Sequence, residues 1–122
     1  MNIGYIRNSL LKQENSVETQ KKQINDYCDL HNIKLDQLII DEGISGGIEK
    51  IDLRKGYNKI LDLIDQGEVD NLIVISISRW GRNLGETYKS VKLMTDKNTK
   101  FISIKENIDT SSPIGRFTLN IL

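Results

Sequence analysis

The sequence predicts a three-layer α/β sandwich on a mainly parallel central sheet of four to five strands, and three observations point there. Short apolar runs alternate with longer amphipathic segments along the chain, the pattern of parallel strands joined by right-handed crossovers. The most strongly apolar run, "NLIVISI" at Asn71 to Ile77, suits a strand in the middle of the sheet, covered on both faces. The 122 residues, 38% of them hydrophobic and only one of them proline, fit a single compact domain.

Each element has its own local reason. Asn2 to Arg7 reads as the first strand. A helix follows from about Ser16 to Asn32, with Ser16 as N-cap and Val17, Ile24, Tyr27, Cys28 and Leu30 at roughly helical spacing. Leu35 to Asp41 forms the second strand and runs into the Gly-rich loop "DEGISGG". The next helix, from about Asp52 to Gln66, carries Leu53, Tyr57, Ile60, Leu61 and Ile64 on its inner face and is stopped by Gly67. After the central strand come a helix over about Leu84 to Lys97, a fourth strand at Phe101 to Glu106, the loop "NIDTSSP" and a final apolar segment, Ile114 to Leu122. No internal repeat, low-complexity tract or flexible linker interrupts this order.

Bulk composition narrows the function. Seventeen Lys plus Arg balance seventeen Asp plus Glu, so the chain lacks the basic excess of an autonomous nucleic-acid binder. The lone Cys28 has no disulfide partner within the chain, and the lone His31 has no companions for a zinc site. A reducing cytoplasm is the expected location. Asn2 and Gly4 break the first apolar residues, so no signal peptide is expected, and no run reaches the roughly 18 apolar residues of a membrane span.

In an open parallel sheet, ligands bind where loops leave the carboxyl ends of the strands. Those loops carry Arg7, Asn8 and Ser9; Asp41, Glu42 and Ser45; Ser76, Ser78, Arg79 and Arg82; and Asn107, Asp109, Thr110 and Ser111. In "SRWGR" a helical turn would set Arg79 and Arg82 on one side, where their planar, permanently charged forks could take phosphate oxygens bidentately. Strand alternation places Arg7 and Ser9 on one face. A serine after a strand is ordinarily a turn or cap residue, but beside arginines it can attack phosphorus. His31, near a helix end, offers no triad, so activation would come from guanidinium charge that lowers the hydroxyl pKa and stabilises the transition state.

Two rival readings use the same loops. Asp41, Glu42 and Asp109 could hold magnesium in a metal-dependent nuclease. Alternatively the domain could be a noncatalytic dimerisation or regulatory module. Trp80 is expected to pack in the core or an interface.

Taken together, the ordered motifs resemble the catalytic domain of the serine recombinases, the resolvase/invertase family. "IGYIRNS" resembles the family's strand-Arg-x-Ser opening, "NSVETQ" its Ser-x-x-x-Gln helix start and "DEGISGG" its Ser-Gly loop. "SRWGRN" resembles its double-arginine motif, and "IDTSSPIGRF" the segment that leads into its long helix.

The resemblance implies that Ser9 is the nucleophile, forming a 5′-phosphoserine link to DNA and releasing a 3′-hydroxyl. Arg7, Arg79 and Arg82 would hold the scissile phosphate, with Arg54 in "LRKG" as a fourth candidate. Gln20 and Ser45 would position the active-site loops, and Asp41 and Asp109 are the candidates for the general base. Ser78 stands where many relatives carry aspartate. No metal or other cofactor is implied. The implied partners are double-stranded DNA at specific recombination sites and further copies of the chain, in a homodimer and a synaptic tetramer. Residues 1–122 are expected to be the catalytic domain, ending at the start of the long dimerisation helix, without a DNA-binding domain.

Overall fold

A computed structural model describes residues 1–8, 16–42 and 54–111 of the chain. Five strands form one sheet in the order β2-β1-β3-β4-β5, with β1 at Asn2–Asn8, β2 at Gln37–Glu42, β3 at Asn71–Val74, β4 at Lys100–Ser103 and β5 at Ile108–Asp109. The first four are parallel, and β5 runs antiparallel to β4. Helix α1 (Val17–Leu30) covers one face, where Ile24 and Cys28 pack with Ile6, Ile73 and Ile102. Helices α2 (Lys55–Asp65) and α3 (Leu84–Asp96) cover the other, where Tyr57, Ile60, Ile64, Val91 and Met94 meet Ile3, Tyr5, Leu72, Val74 and Phe101. The three-layer sandwich is therefore as expected, and β3 is the middle strand.

The alternation of β1 explains both layers. Ile3 and Tyr5 point to the α2 and α3 side, while Gly4 and Ile6 point to α1. Gly4 is small for a reason: a Cβ there would lie 2.9 Å from Leu38 and 3.1 Å from Ile24, so α1 and β2 come closer to the strand than a side chain allows. Each fully buried aliphatic side chain in these layers is worth roughly 1.5–3 kcal/mol relative to exposure.

Helix ends follow local chemistry. Ser16 accepts a hydrogen bond from the Thr19 N–H, and Asn83 accepts one from the Glu86 N–H, so both helices start on a side-chain cap. Gly67, at φ 75, ends the turn after α2 in the left-handed region that glycine adopts freely.

Several sequence expectations need correction. Leu30 is 78% exposed, because it stands two residues beyond Cys28 and falls off the buried stripe of Gln20, Ile24 and Cys28. The second strand begins at Gln37 rather than Leu35. The third ends at Val74 rather than Ile77, because Ile77 drops into the core and starts a 3-10 turn, Ile77–Arg79. The fourth ends at Ser103 rather than Glu106. There the chain turns, with Asn107 at φ 55, and returns as β5, so the loop expected at "NID" is a short strand. Helix α2 is described from Lys55, and Leu53 and the segment 114–122 lie outside the described residues.

A candidate phosphate site at the carboxyl edge of the sheet

Strands β1 and β3 are neighbours, and both end at the same edge. Arg7 is the penultimate residue of β1, and Arg79 closes the 3-10 turn after β3. The two are laced together reciprocally: the Arg7 guanidinium donates to the Ser78 carbonyl, and Arg79 Nη1 donates to the Arg7 carbonyl at 3.2 Å. Two cations thus share a small, partly buried space. Burial, and then the Arg7 charge, pull the Arg79 guanidinium below its ordinary pKa. Both guanidinium groups stay protonated, so the pair keeps a concentrated positive charge at this edge.

Between the two arginines of "SRWGR" sits Trp80, fully buried as expected. Its indole lies edge-on to Tyr5 at 5.3 Å and tilted over Tyr57 at 4.3 Å, and its Nε1–H donates to Ser90 Oγ at 2.8 Å. With Ile77, this side chain anchors the loop to the core.

Arg82 does not stand beside Arg79. The 3-10 turn ends before it, and the next bend sends Arg82 to the start of α3. There its backbone N–H donates to Glu86 Oε1 at 2.8 Å, and its guanidinium lies 3.5 Å from Glu86 Oε2. Arg54 is at the same carboxylate. It is 1% exposed, donates to both Glu86 oxygens at 2.9 and 2.8 Å, and stacks 4.0 Å over the Tyr57 ring. Arg54 therefore faces Glu86 from within the core, because a buried guanidinium requires a matching anion. It is not placed as an open phosphate ligand. Burial alone would raise the Glu86 pKa, but the hydrogen bonds from Arg54 and Arg82 and their charges outweigh it and hold the carboxyl below its usual range.

The two candidate bases sit on different strands: Asp41 stands across from Arg7 in the β1–β2 register, and Asp109 lies on the far edge strand. Asp41 is buried and its carboxylate is fully engaged: Tyr5 donates its hydroxyl to Oδ2 at 2.6 Å, while Gly56 and Tyr57 donate their N–H groups at 2.7 and 2.9 Å. It serves as a cap, supplied from β2, for the exposed N–H groups at the start of α2. Asp109 lies in β5, paired across from Ile102 and within electrostatic reach of Tyr27 on α1. The turn at Asn107 carries it, with Thr110 and Ser111, back from the edge where it was expected.

The magnesium reading meets the same geometry. Asp41 and Glu42 close β2 and Asp109 lies in β5, the two outer strands of the sheet. Four strand spacings separate them, roughly 19 Å. No single ion spans that distance.

Gln20 is buried in the first turn of α1, on its inner stripe with Ile24 and Cys28. His31 caps the other end of α1, exposed and stacked on Tyr27 at 4.1 Å. Ser9 and Ser45 lie outside the described residues.

Two carboxylates at the site were not singled out from the sequence. Glu86 is one, and its signal was the N-x-x-E pattern "NLGE" that opens α3. The other is Glu106, whose Oε1 accepts from the Ile77 N–H at 3.1 Å and from the Ser103 hydroxyl, tying the β4–β5 turn to the arginine turn. Beside it, Ile77, Ser78, Arg82, Asn83, Leu84 and Glu106 line an open hollow of about 360 Å³.

Residues 2–122 match the family model described as Resolvase, N terminal domain. The chain belongs to the resolvase family. It is 30% identical over 122 residues to the DNA-invertase of Escherichia phage P1, covering 100% of this chain and 58% of that protein. It is 30% identical over 121 residues to the DNA-invertase hin of Salmonella typhimurium, covering 98% and 56%. The chain thus spans little more than half the length of these resolvase-family relatives.

Among solved structures, the N-terminal catalytic domain of TP901-1 integrase superposes with a TM-score of 0.82 at 26% identity, over 98% of this chain and 88% of that one. A resolvase family site-specific recombinase from Streptococcus pneumoniae superposes at 0.79 and 23% identity, over 98% and 82%, a likeness of fold. No helix among the described residues is long and apolar enough to cross a membrane.

Proposed function

We propose that this resolvase-family chain is the DNA-cleaving and rejoining domain of a site-specific recombinase, with Ser9 as its nucleophile. Ser9 Oγ attacks a DNA phosphodiester and loses its proton. The new Oγ–P bond is the 5′-phosphoserine link, and the P–O3′ bond breaks to leave a 3′-hydroxyl after protonation. Attack by a 3′-hydroxyl on the phosphoserine reverses these bonds and rejoins the strand, so no external energy source is consumed. Arg7, Arg79 and Arg82 hold the phosphate and stabilise the charge that builds on its oxygens. Gln20 and Ser45 support the loops. The DNA partner is a duplex at specific recombination sites, and the protein acts as a homodimer that pairs into a synaptic tetramer.

The observation that carries the proposal is the reciprocal lacing of Arg7 and Arg79 at the end of β1, two residues before Ser9. It holds two cations together at the carboxyl edge of the sheet, where an anionic phosphate would be drawn. Ser78, exposed between them and hydrogen-bonded to Ser76 at 3.1 Å, leaves the site without an acidic neighbour at that position.

The test uses the full-length gene product in chelator, with plasmid DNA carrying the sequences that flank the gene, quenched in denaturant. Wild type should form a covalent protein–DNA adduct and Ser9→Ala none, while Arg79→Ala should form it on the order of 10²–10³-fold more slowly. A folded, DNA-binding wild type that gives no adduct overturns the proposal in favour of a noncatalytic module.

A further inference from the structure

Among the described residues, Glu86 is a carboxylate that touches two of the site's arginines. Its Oε1 accepts from Arg54 Nη1 and from the Arg82 N–H, and its Oε2 accepts from Arg54 Nη2 with the Arg82 guanidinium nearby. The two arginines differ in a telling way. The Arg54 side chain is 2% exposed and the Arg82 side chain 35%. One is fixed in the core by Trp80 and Tyr57, and the other faces outward. Asn83, which caps α3 through the Glu86 N–H, fixes the backbone of Glu86 as well.

We infer that Glu86 is a positioning residue: anchored by buried Arg54, its carboxylate sets the backbone and guanidinium of Arg82 in the pose from which Arg82 meets the phosphate. This rests on the proposed phosphoryl transfer and deepens it. Arg54 then acts through Glu86, and Glu86 through Arg82. A charged bidentate pair inside the core gives a fixed reference point, and a single carboxylate passes that reference to an outward-facing cation with little loss of precision.

The experiment is a double-mutant cycle on the rate of adduct formation in the full-length protein, using Glu86→Gln and Arg82→Ala singly and together. Glu86→Gln keeps shape and one acceptor oxygen but loses the second charged contact. It should slow adduct formation on the order of 10²-fold, the effect of a misplaced reacting group, with DNA affinity within about twofold. In the Arg82→Ala background the same change should cost less than about twofold. Equal fold-losses in both backgrounds overturn the inference, as does a Glu86→Gln protein that cleaves like wild type.

Should Glu86→Gln fail to fold, amide exchange in the wild-type protein decides the matter. The Arg82 N–H is expected to be protected, and exchange at the free-chain rate overturns the inference. A wild type that forms no adduct overturns the phosphoryl-transfer reading and this inference with it. A cleaving wild type with additive variants overturns only the part assigned to Glu86.

Discussion

Asp41, a candidate base in the sequence, holds a structural position in the fold. Its two oxygens accept three hydrogen bonds, from the Tyr5 hydroxyl and the N–H groups of Gly56 and Tyr57. Gly56 is required for that approach, since a Cβ there would lie 2.8 Å from Asp41 Oδ1 and 2.6 Å from Ile39. Replacing Asp41 by Asn should turn an amide NH₂ toward one of these donors and leave a buried N–H unsatisfied. A loss of about 1–3 kcal/mol in urea denaturation is expected. At a temperature where Asp41→Asn is folded, its adduct should form at close to the wild-type rate, and a large loss there would return Asp41 to the chemistry. The sequence made the carboxylate visible at a strand end, but it could not tell that α2 would start against it.

At the scale of elements, the turn from Ile77 to Asn83 does the positioning, and its tightness rests on Gly81. A Cβ at Gly81 would lie 2.1 Å from Thr87 Oγ1, 3.1 Å from the Thr87 nitrogen and 3.2 Å from the Asn83 carbonyl. The turn is thus folded directly onto the first turn of α3. Gly81→Ala should destabilise by roughly 1–3 kcal/mol through overpacking, and Thr87→Ala in the same chain should recover part of that loss by removing the nearest atom, both read from thermal unfolding. The strands and helices were legible because each carries its own periodicity. Strand β5 was not: two residues give no alternation, and its only local sign was Asn107, a residue type that accepts positive φ. The partner of Arg54 was equally hidden, because Glu86 lies on another element and only packing brings the two together.

For the whole molecule, the shifted groups bound stability on both sides of neutrality. Glu86 is held below its usual range by the arginines, despite its burial. Its contribution is therefore complete above the ordinary glutamate value of about 4.3 and is lost as pH falls through the lower folded value. Tyr5 is displaced upward, first by burial and then by the hydrogen bond to Asp41, and burial raises the Cys28 thiol as well. Their contributions are complete below the unfolded values of roughly 10 and 8.5 and are lost as pH rises beyond them. Stability plotted against pH should therefore fall on an acid limb and an alkaline limb. Glu86→Gln should flatten the acid limb while leaving the alkaline one in place. Tyr5→Phe should shallow the fall above about pH 10, with a remainder from Tyr27, which burial also raises. Urea titrations across the pH range measure both slopes. An acid limb unchanged in Glu86→Gln would mean that the Arg54 and Arg82 contacts do not hold that carboxylate in solution, and the link from the core to the phosphate-facing arginine would go with it.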